Sequence, residues 1–476
     1  MKKIFSITWL VQIIILLMFY FTENLYYSES HLIELLIIVC VDSVLFFIYK
    51  KKVRQTIKSG LWSLIFLLGY LVVFFQRYVD LILGYVSENE RFFVDQNTIL
   101  RCTIISLCGL LAFFVGYSIQ LNKEENISYS QSVYIPNTTP LKILLFFSLI
   151  LFIIYNYKMI VLGNYSQEML EAQAGTMGLY SNILFQIVFF LYVSYKSCTF
   201  KFEDIDNFKS YVKHMGFIVN LCVILYSIFV LMSGDRGPVI VICLAYLGGY
   251  FLSSDKDISY IRISVLVGLA AIVITLLGNM RKLDSNIAYW DKVNQSVYEM
   301  NENDKSFSPY TEELAGSLTT LHHSVAYVPE FHPYLNGSFQ LRQICSAIPF
   351  MNHIVYKFTD PHFKYRGSAF FITWIIQGER YTYGSGTSCN ADLYLSFGIF
   401  GVIIGLFIWG IIYRRIEDDV DFMVVNSTSN IVFLFFLAYS LYVNRASLLC
   451  FLNFMVFSLI LKFLYEKFIT REEEYY

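Results

Sequence analysis

Long apolar runs separated by short polar connections dominate the chain, and one longer mixed stretch interrupts them late in the sequence. A helix that crosses the hydrocarbon core of a bilayer needs about 20 mostly apolar residues. The runs near this length predict about twelve spans, and hence an all-α polytopic membrane protein. The predicted spans are Ile4–Phe21, Leu32–Tyr49, Leu61–Phe75, Leu100–Ile119, Leu141–Leu162, Asn182–Tyr195, Met215–Met232, Pro238–Leu252, Ile263–Gly278, Asp392–Tyr413, Asn430–Val443 and Ser447–Tyr465.

The mixed stretch, Met280–Ala391, is too long to be a turn between two spans. It separates residues 1–279, with about nine predicted spans, from residues 392–476, with about three. Inside it, Glu312–Val328 predicts an amphipathic helix that Pro329 ends, and Ile344–Phe358 predicts a second short helix. The apolar face of the first helix consists of Leu314, Leu318, Leu321 and Val325.

The distribution of positive charge predicts the orientation. Lys and Arg concentrate in alternate connections, including Lys50–Arg54 and Arg414-Arg415, and this excess marks cytoplasmic loops. The rule predicts that both termini are cytoplasmic, which agrees with an even number of spans. The loop Met280–Ala391 is then expected on the extracytoplasmic side.

Composition supports a membrane protein and excludes one class of partner. Only 15% of the 476 residues are charged and 56% are hydrophobic, whereas soluble domains average about 25% charged residues. The net charge of −2 gives no electrostatic basis for nucleic-acid binding. The 44 Phe and 37 Tyr favour interfacial belts, with sugar stacking as the alternative. Metal-ligand spacing is missing among the Cys, His and acidic residues, so we expect neither metal nor cofactor.

The first candidate site is the tight turn Ser233–Pro238 between two apolar runs. Its glycines allow a sharp turn, and Pro238 suits the first turn of the following helix. Asp235 and Arg236 are therefore held at the membrane surface, where the planar fork of Arg236 could bind a lipid diphosphate. The alternative is a solvated turn whose two charges pair with each other.

The second candidate site is the helix predicted from Glu312. Either Glu313 or His322 could remove a proton from a sugar hydroxyl, since both residue types serve as general bases. The alternative is a solvated helix face with capping carboxylates.

The third candidate site lies late in the loop and at the start of the next span. Gly384–Ser388 could cradle phosphate through backbone N–H groups and hydroxyls, but it lacks the Lys of a nucleotide-binding loop. Asp392 follows at a helix start, where an acid is either a simple cap or a third candidate base. The remaining candidates for binding diphosphate or glycan in this loop are Arg342, Arg366, Arg380, Tyr383 and Ser385.

In order and placement, these motifs resemble the Wzy-type oligosaccharide repeat-unit polymerases of O-antigen and capsule pathways. The resemblance covers most of the chain and rests on Gly234–Pro238, on Glu313–Leu318 with Val328-Pro329, and on Gly384–Ser388 with Asp392–Gly398. Two positions depart from the family pattern: Asp392 stands where Glu is more common, and Ala315 where Gly is expected.

The resemblance implies a reaction, an architecture and a location. A growing glycan on undecaprenyl diphosphate would be transferred to the non-reducing end of a new lipid-linked unit, without metal or nucleotide sugar. The architecture would resemble that of membrane ligases and glycosyltransferases of the GT-C kind, in a bacterial cytoplasmic membrane. Arg236, with Arg342 or Arg366, would bind diphosphate, and Glu313, His322 or Asp392 would be the base. A chain-length regulator and a flippase are candidate partners.

A flippase or transporter for the same lipid-linked sugars is the main alternative, since it also has about twelve spans. Transporters tend to show related halves and charged groups inside the bundle. Here the charges concentrate in the outer loop and turns, which favours a polymerase. An acyltransferase is a weaker alternative, because the His residues lie mainly outside the cytoplasm.

Overall fold

The computed structural model consists of helices and their connections. It describes residues 2–22, 25–53, 60–119, 137–162, 176–200, 205, 207–233, 235–254, 265, 268–269, 272, 275–276, 280, 289–301, 306–348, 351, 354–355, 360, 362–421 and 427–468. Within these ranges no residue forms a β-strand, which confirms the all-α class.

The α-helices in chain order are α1 (Lys2–Tyr20), α2 (Glu29–Val53), α3 (Leu61–Ile82), α4 (Gln96–Ser118), α5 (Thr139–Leu162), α6 (Thr176–Phe200), α7 (Phe208–Met215), α8 (Phe217–Met232), α9 (Gly237–Ser253), α10 (Tyr289–Asn301), α11 (Glu312–Ala315), α12 (Thr319–Tyr327), α13 (Ser338–Ser346), α14 (Ser368–Gln377), α15 (Cys389–Asp421), α16 (Ser427–Tyr439) and α17 (Leu452–Phe468). Short 3-10 helices cover Pro309–Thr311, Gly316–Leu318, Phe363–Arg366 and Tyr442–Arg445.

Six described helices are long and apolar enough to cross a membrane, and the count is seven if the bent pair α7–α8 forms one span. The two members of that pair meet at 96°. α1, α9, α14 and α16 are apolar but shorter. The predicted span Ile263–Gly278 lies largely outside the described residues. Part of the predicted helix Ile344–Phe358 also lies outside them, and the described helix in this region, α13, begins earlier, at Ser338, and ends at Ser346. The protein is therefore a multi-pass membrane protein, and the described residues account for six or seven of the predicted spans.

Several helices are longer than the apolar pattern predicts. α3 continues past Phe75 to Ile82, and Gln76, Arg77 and Asp80 in this extension are buried. The apolar pattern stops at Phe75 because these side chains are polar, yet the helix continues because the segment Ser306–Glu312 covers them and forms hydrogen bonds with them. In α15, non-helical dihedrals at Phe397 and Gly398 break the helix two turns after its start.

α4 and α15 pack closely enough to exclude side chains at their crossing. A Cβ on Gly116 would collide with the carbonyl of Phe407, and a Cβ on Gly410 would collide with the carbonyl of Phe113. Small residues at membrane helix crossings allow such a close approach of two backbones. This crossing fixes α15, whose first turn reaches the loop, against α4.

One group of helix ends is joined by a buried ionic network. Lys50 and Glu417 are 1% and 0% exposed, and Lys50 Nζ lies 3.8 Å from Glu417 Oε1. Ser63 Oγ receives a hydrogen bond from Lys50 Nζ at 2.6 Å and donates one to Glu417 Oε1 at 2.7 Å. Tyr117 also donates to Glu417, so the network ties together α2, α3, α4 and α15.

A second group of contacts joins α3, α4 and α15 to one another and to the loop, away from Glu417. Tyr78 near the end of α3 and Thr98 near the start of α4 both contact His322 of α12. Asn390 at the start of α15 donates to Tyr70 of α3 at 2.7 Å. The loop segment from Ser306 to Tyr327 therefore packs on this second group of ends.

Candidate active site

Arg236 lies in the turn between α8 and α9, where Pro238 occupies the first turn of α9 as predicted. Its guanidinium forms a two-point ion pair with Glu313: Nη1 donates to Oε2 at 2.5 Å, and Nη2 donates to Oε1. The two side chains are only 12% and 24% exposed. Asp235 accepts from the backbone N–H of Gly237 at 3.2 Å, which supports the turn.

The main chain is helical without interruption from Glu312 to Tyr327, since the residues between the short α and 3-10 segments keep right-handed helical dihedrals. The four apolar residues predicted to share one face of this helix, Leu314, Leu318, Leu321 and Val325, are all buried. This packing holds Glu313 near the start of the helical run, beside Arg236.

A second cation approaches the same carboxylate. Arg445, in the 3-10 helix after α16, places Nη2 3.6 Å from Glu313 Oε1. Tyr442 of that 3-10 helix packs against Gly237, where a Cβ would lie 3.2 Å from the ring. Glu313 therefore joins the α8–α9 turn to the segment that follows α16. The sequence pattern does not mark Arg445 as a site residue, because an isolated Arg between two apolar runs is typical of an interface anchor.

The extended end of α3 anchors the start of the same loop segment. Arg77 donates to Glu312 at 2.7 Å and lies 3.4 Å from Asp80. Asp80 accepts hydrogen bonds at 2.9 Å from the Ser306 hydroxyl and from the Phe307 backbone N–H. Arg77 thus holds Glu312 while Arg236 and Arg445 hold Glu313. The sequence offered no signal for Asp80, whose loop partners Ser306 and Phe307 are more than 220 positions away.

His322 is fully buried and both ring nitrogens have partners. Nδ1 lies 3.1 Å from the carbonyl of Phe93, which can only accept, so Nδ1 carries the proton. Nε2 then accepts from the Tyr78 hydroxyl at 3.0 Å. Burial lowers the pKa of His322 to about 3 and also lowers the pKa of His323. A ring with such a low pKa is a weak proton acceptor near pH 7.

Asp392 lies in the first turn of α15 and is fully buried. Gln340 of α13 donates to its carboxylate and to its backbone carbonyl, both at 3.1 Å. Gln340 also accepts from Ser396 at 2.6 Å. Backbone bonds from Leu335 and Asn336 to residues 395 and 396 extend this contact. Asp392 therefore docks the loop onto the broken start of α15.

The remaining candidates occupy other parts of the loop. Arg342 is buried on α13, whereas Arg366, Arg380 and Tyr383 are exposed. Ser385 accepts from Gln377 at 3.1 Å, and its backbone N–H donates to Thr373 at 2.9 Å, so the Gly/Ser run is bonded to α14. The structure thus brings Arg236 and Glu313 into direct contact and adds Arg77, Asp80 and Arg445 around them.

We call Arg77, Asp80, Arg236, Glu312, Glu313 and Arg445 the ionic cluster. Its side chains have chemistry that suits glycosyl transfer from a diphosphate. Arg236 and Arg445 can neutralise developing negative charge, and Glu313 can accept a proton. The residues that the structure describes contain no group of three or more His, Cys, Asp or Glu side chains arranged to hold a metal ion.

The chain is a multi-pass helical membrane protein in which a folded loop contributes Glu313 to an ion pair with Arg236. These features fit the class of membrane polysaccharide polymerases. The sequence model of the family described as "O-antigen polysaccharide polymerase Wzy" matches residues 4–471. The chain belongs to this family, whose general activity is the polymerisation of O-antigen repeat units from lipid-linked oligosaccharides in a membrane. Searches of curated proteins and of solved structures found no match.

Proposed function

We propose that this protein joins undecaprenyl-diphosphate-linked repeat units on the outer face of the bacterial cytoplasmic membrane. It transfers the growing glycan to the non-reducing end of a new lipid-linked unit and so builds a capsule or O-antigen. The observation that carries the proposal is the ion pair between Arg236 and Glu313. It unites a diphosphate ligand and a candidate base in a chain that belongs to a polymerase family.

In the proposed reaction, an acceptor hydroxyl attacks the anomeric carbon of the donor glycan. The new glycosidic C–O bond forms as the bond from that carbon to the diphosphate breaks. Glu313 takes the hydroxyl proton and passes it to water. The leaving undecaprenyl diphosphate carries the released electron pair, and Arg236 and Arg445 stabilise its negative charge.

The ion pair itself has a role in this cycle. A carboxylate and a diphosphate present similar pairs of oxygens to the same guanidinium fork. A donor diphosphate that binds Arg236 therefore competes with Glu313 and frees its carboxylate for the acceptor. We assign His322 and Asp392 to positioning, because each is buried and hydrogen-bonded to a neighbouring helix or loop.

The proposed orientation places both termini and the Lys50–Glu417 network on the cytoplasmic side, with the ionic cluster outside. Lys50 belongs to the most basic connection, which the positive-inside rule assigns to the cytoplasm. The ends of α3, α4 and α15 that meet at Glu417 are opposite the ends that contact the loop, which supports the alternation.

The test uses the purified full chain in lipid nanodiscs with lipid-linked repeat units isolated from the producing bacterium. We expect glycans of two or more units with release of undecaprenyl diphosphate, and the same reaction in the presence of EDTA. In cells, deletion should leave single lipid-linked units on the outer face. Single units confined to the cytoplasmic face would instead establish a flippase and refute the proposal.

A further inference from the structure

A cluster of half-exposed aromatic side chains lies on the loop, apart from the groups assigned to the reaction. The rings of Phe363 and Tyr381 stack with centroids 4.7 Å apart and an angle of 28°. His362 stacks on Phe363 at 5.0 Å, also at 28°. Trp374 lies beside them and receives Lys364 Nζ 3.9 Å from its ring centroid. We call His362, Phe363, Trp374, Glu379 and Tyr381 the aromatic platform.

A carboxylate organises the polar edge of this platform. Glu379 accepts a hydrogen bond from the Trp374 indole N–H at 2.9 Å. Both carboxylate oxygens of Glu379 lie 3.1 Å from His362 Nε2. The backbone N–H of Lys364 donates to His362 Nδ1 at 3.2 Å, so Nε2 carries the proton and donates to Glu379. The Glu379 side chain is nevertheless 63% exposed. A fixed and accessible carboxylate beside flat rings can accept hydrogen bonds from a ligand.

The charges around the platform indicate that it faces water. Within residues 360–380 the described chain carries Asp360, Lys364, Arg366, Glu379 and Arg380, and such a density of charge is costly within a bilayer. We infer that the platform binds the glycan part of the lipid-linked substrate. Flat rings with a few fixed polar groups suit a sugar, which presents apolar C–H faces and a rim of hydroxyls.

The helix from Glu312 to Tyr327 connects the platform to the ionic cluster. Trp374 contacts Tyr327 edge to face, with centroids 5.7 Å apart. Tyr327 is 14 positions after Glu313 on this helical run, which corresponds to about 20 Å along the helix. The platform is therefore too remote to hold the reacting sugar, and it holds sugars further along the glycan. This inference rests on the proposed function and adds a distal glycan subsite to it.

A distal subsite predicts a specific kinetic effect. Tyr381→Ala and Trp374→Ala should each weaken glycan binding about fivefold, raising the KM for lipid-linked units and shortening the polymer. The kcat for joining two units should change less than twofold, because Arg236 and Glu313 are untouched. Trp374→Phe should restore much of the chain length, since it keeps a ring. Phe370→Ala is the matched control, because Phe370 is a 40% exposed aromatic on the same helix.

Binding is measured separately from catalysis. The probe is the delipidated polysaccharide of the producing strain, titrated against the full chain in nanodiscs, with dextran as the unrelated glycan. We expect weaker binding by Tyr381→Ala and by Glu379→Gln, at unchanged thermal stability. The inference would be wrong if Tyr381→Ala and Glu379→Gln bound the glycan and built polymer to the same extent as Phe370→Ala. It would also be wrong if these variants lost thermal stability in nanodiscs but kept their affinity for the glycan, because the platform would then be an interfacial anchor. A wild-type chain that binds the polysaccharide but joins no units would refute the proposed function alone.

Discussion

Arg236 and Glu313 are 77 positions apart in the sequence, and their side chains meet through both guanidinium nitrogens and both carboxylate oxygens. This relationship joins a turn between two membrane helices to the first turn of a loop helix. Each side chain therefore helps to orient the other. The consequences for activity and stability can be measured one group at a time.

Replacement of Arg236 should separate charge from geometry. Arg236→Lys keeps the charge but cannot form the two-point contact, so we expect polymer yield to fall about tenfold, with a greater loss for Arg236→Ala. Polymer is measured on gels of extracts from a deletion strain that expresses each variant at matched level. Arg101→Ala, an exposed Arg on α4, serves as control and should behave as wild type. Normal polymer in Arg236→Ala would remove this residue from the site.

Glu313→Gln tests the assignment of the base. The amide matches the carboxylate in size but cannot accept the proton, so the rate of joining two units should fall about 100-fold or more. Glu313→Asp should retain part of the rate. Single-turnover reactions with purified lipid-linked units give the rate. Thermal unfolding shows whether each variant is folded. A folded Glu313→Gln protein with a wild-type rate would transfer the role of base to another group.

The pH dependence of stability should contain a contribution from His322. Its pKa is about 3 in the folded protein and about 6.5 in an unfolded chain. The unfolded state therefore binds a proton first as pH falls, so this contribution is complete above pH 6.5 and is lost progressively towards pH 3. At pH 5 the loss is about 2 kcal/mol.

Melting temperatures at pH 7.5 and pH 5 measure this effect. His322→Gln stays neutral at both values, so its melting temperature should start lower but fall less on acidification than that of the wild type. Other titrating groups, including His323, are common to both proteins and cancel in the comparison. Equal decreases would show that His322 does not carry the effect.

The sequence was sufficient to predict the class of the fold. It also indicated Arg236 and Glu313 as candidate site residues, although not that they pair with each other. The apolar runs predicted a helical membrane protein, and Gly237-Pro238 predicted the turn that presents Arg236. Periodicity also predicted the buried face of the helix from Glu312. These features are local, because they depend on residues within a few helical turns of each other.

Contacts between distant segments could not be predicted in this way. Arg77 and Asp80 stand after an apolar run and suggest the end of a span, but burial under residues 306–312 keeps them helical. Lys50 belongs to a basic run that predicts a solvated connection, yet it is buried beside Glu417. Each of these charged side chains contacts a partner more than 200 positions away in the sequence, so no pattern along the chain reveals that partner.

Lys50 and Glu417 should stabilise the fold only as a pair. Removal of one partner takes one charge out of a buried ion pair, which costs about 3–5 kcal/mol. We therefore expect Lys50→Met and Glu417→Leu each to reduce the yield and melting temperature of folded protein, and the double variant to recover most of both. Lys51→Met, at an exposed neighbour, is the control. A double variant no more stable than the single ones would show that Ser63 and Tyr117, not the charges, dominate this contact.

The crossing of α4 and α15 should tolerate no side chain larger than hydrogen at Gly410. Its Cβ would meet the backbone carbonyl of Phe113, which cannot move without displacing α4. Overpacking of this kind costs about 1–3 kcal/mol, so Gly410→Ala should lower the melting temperature and Gly410→Val should lower it further. Because α15 carries Asn390 and Asp392 at its other end, both variants should also reduce polymer yield. Ile408→Ala, which truncates a 48% exposed side chain on the same helix, should leave both quantities near wild type. Wild-type stability in Gly410→Val would show that the two helices do not approach as closely as their glycines indicate.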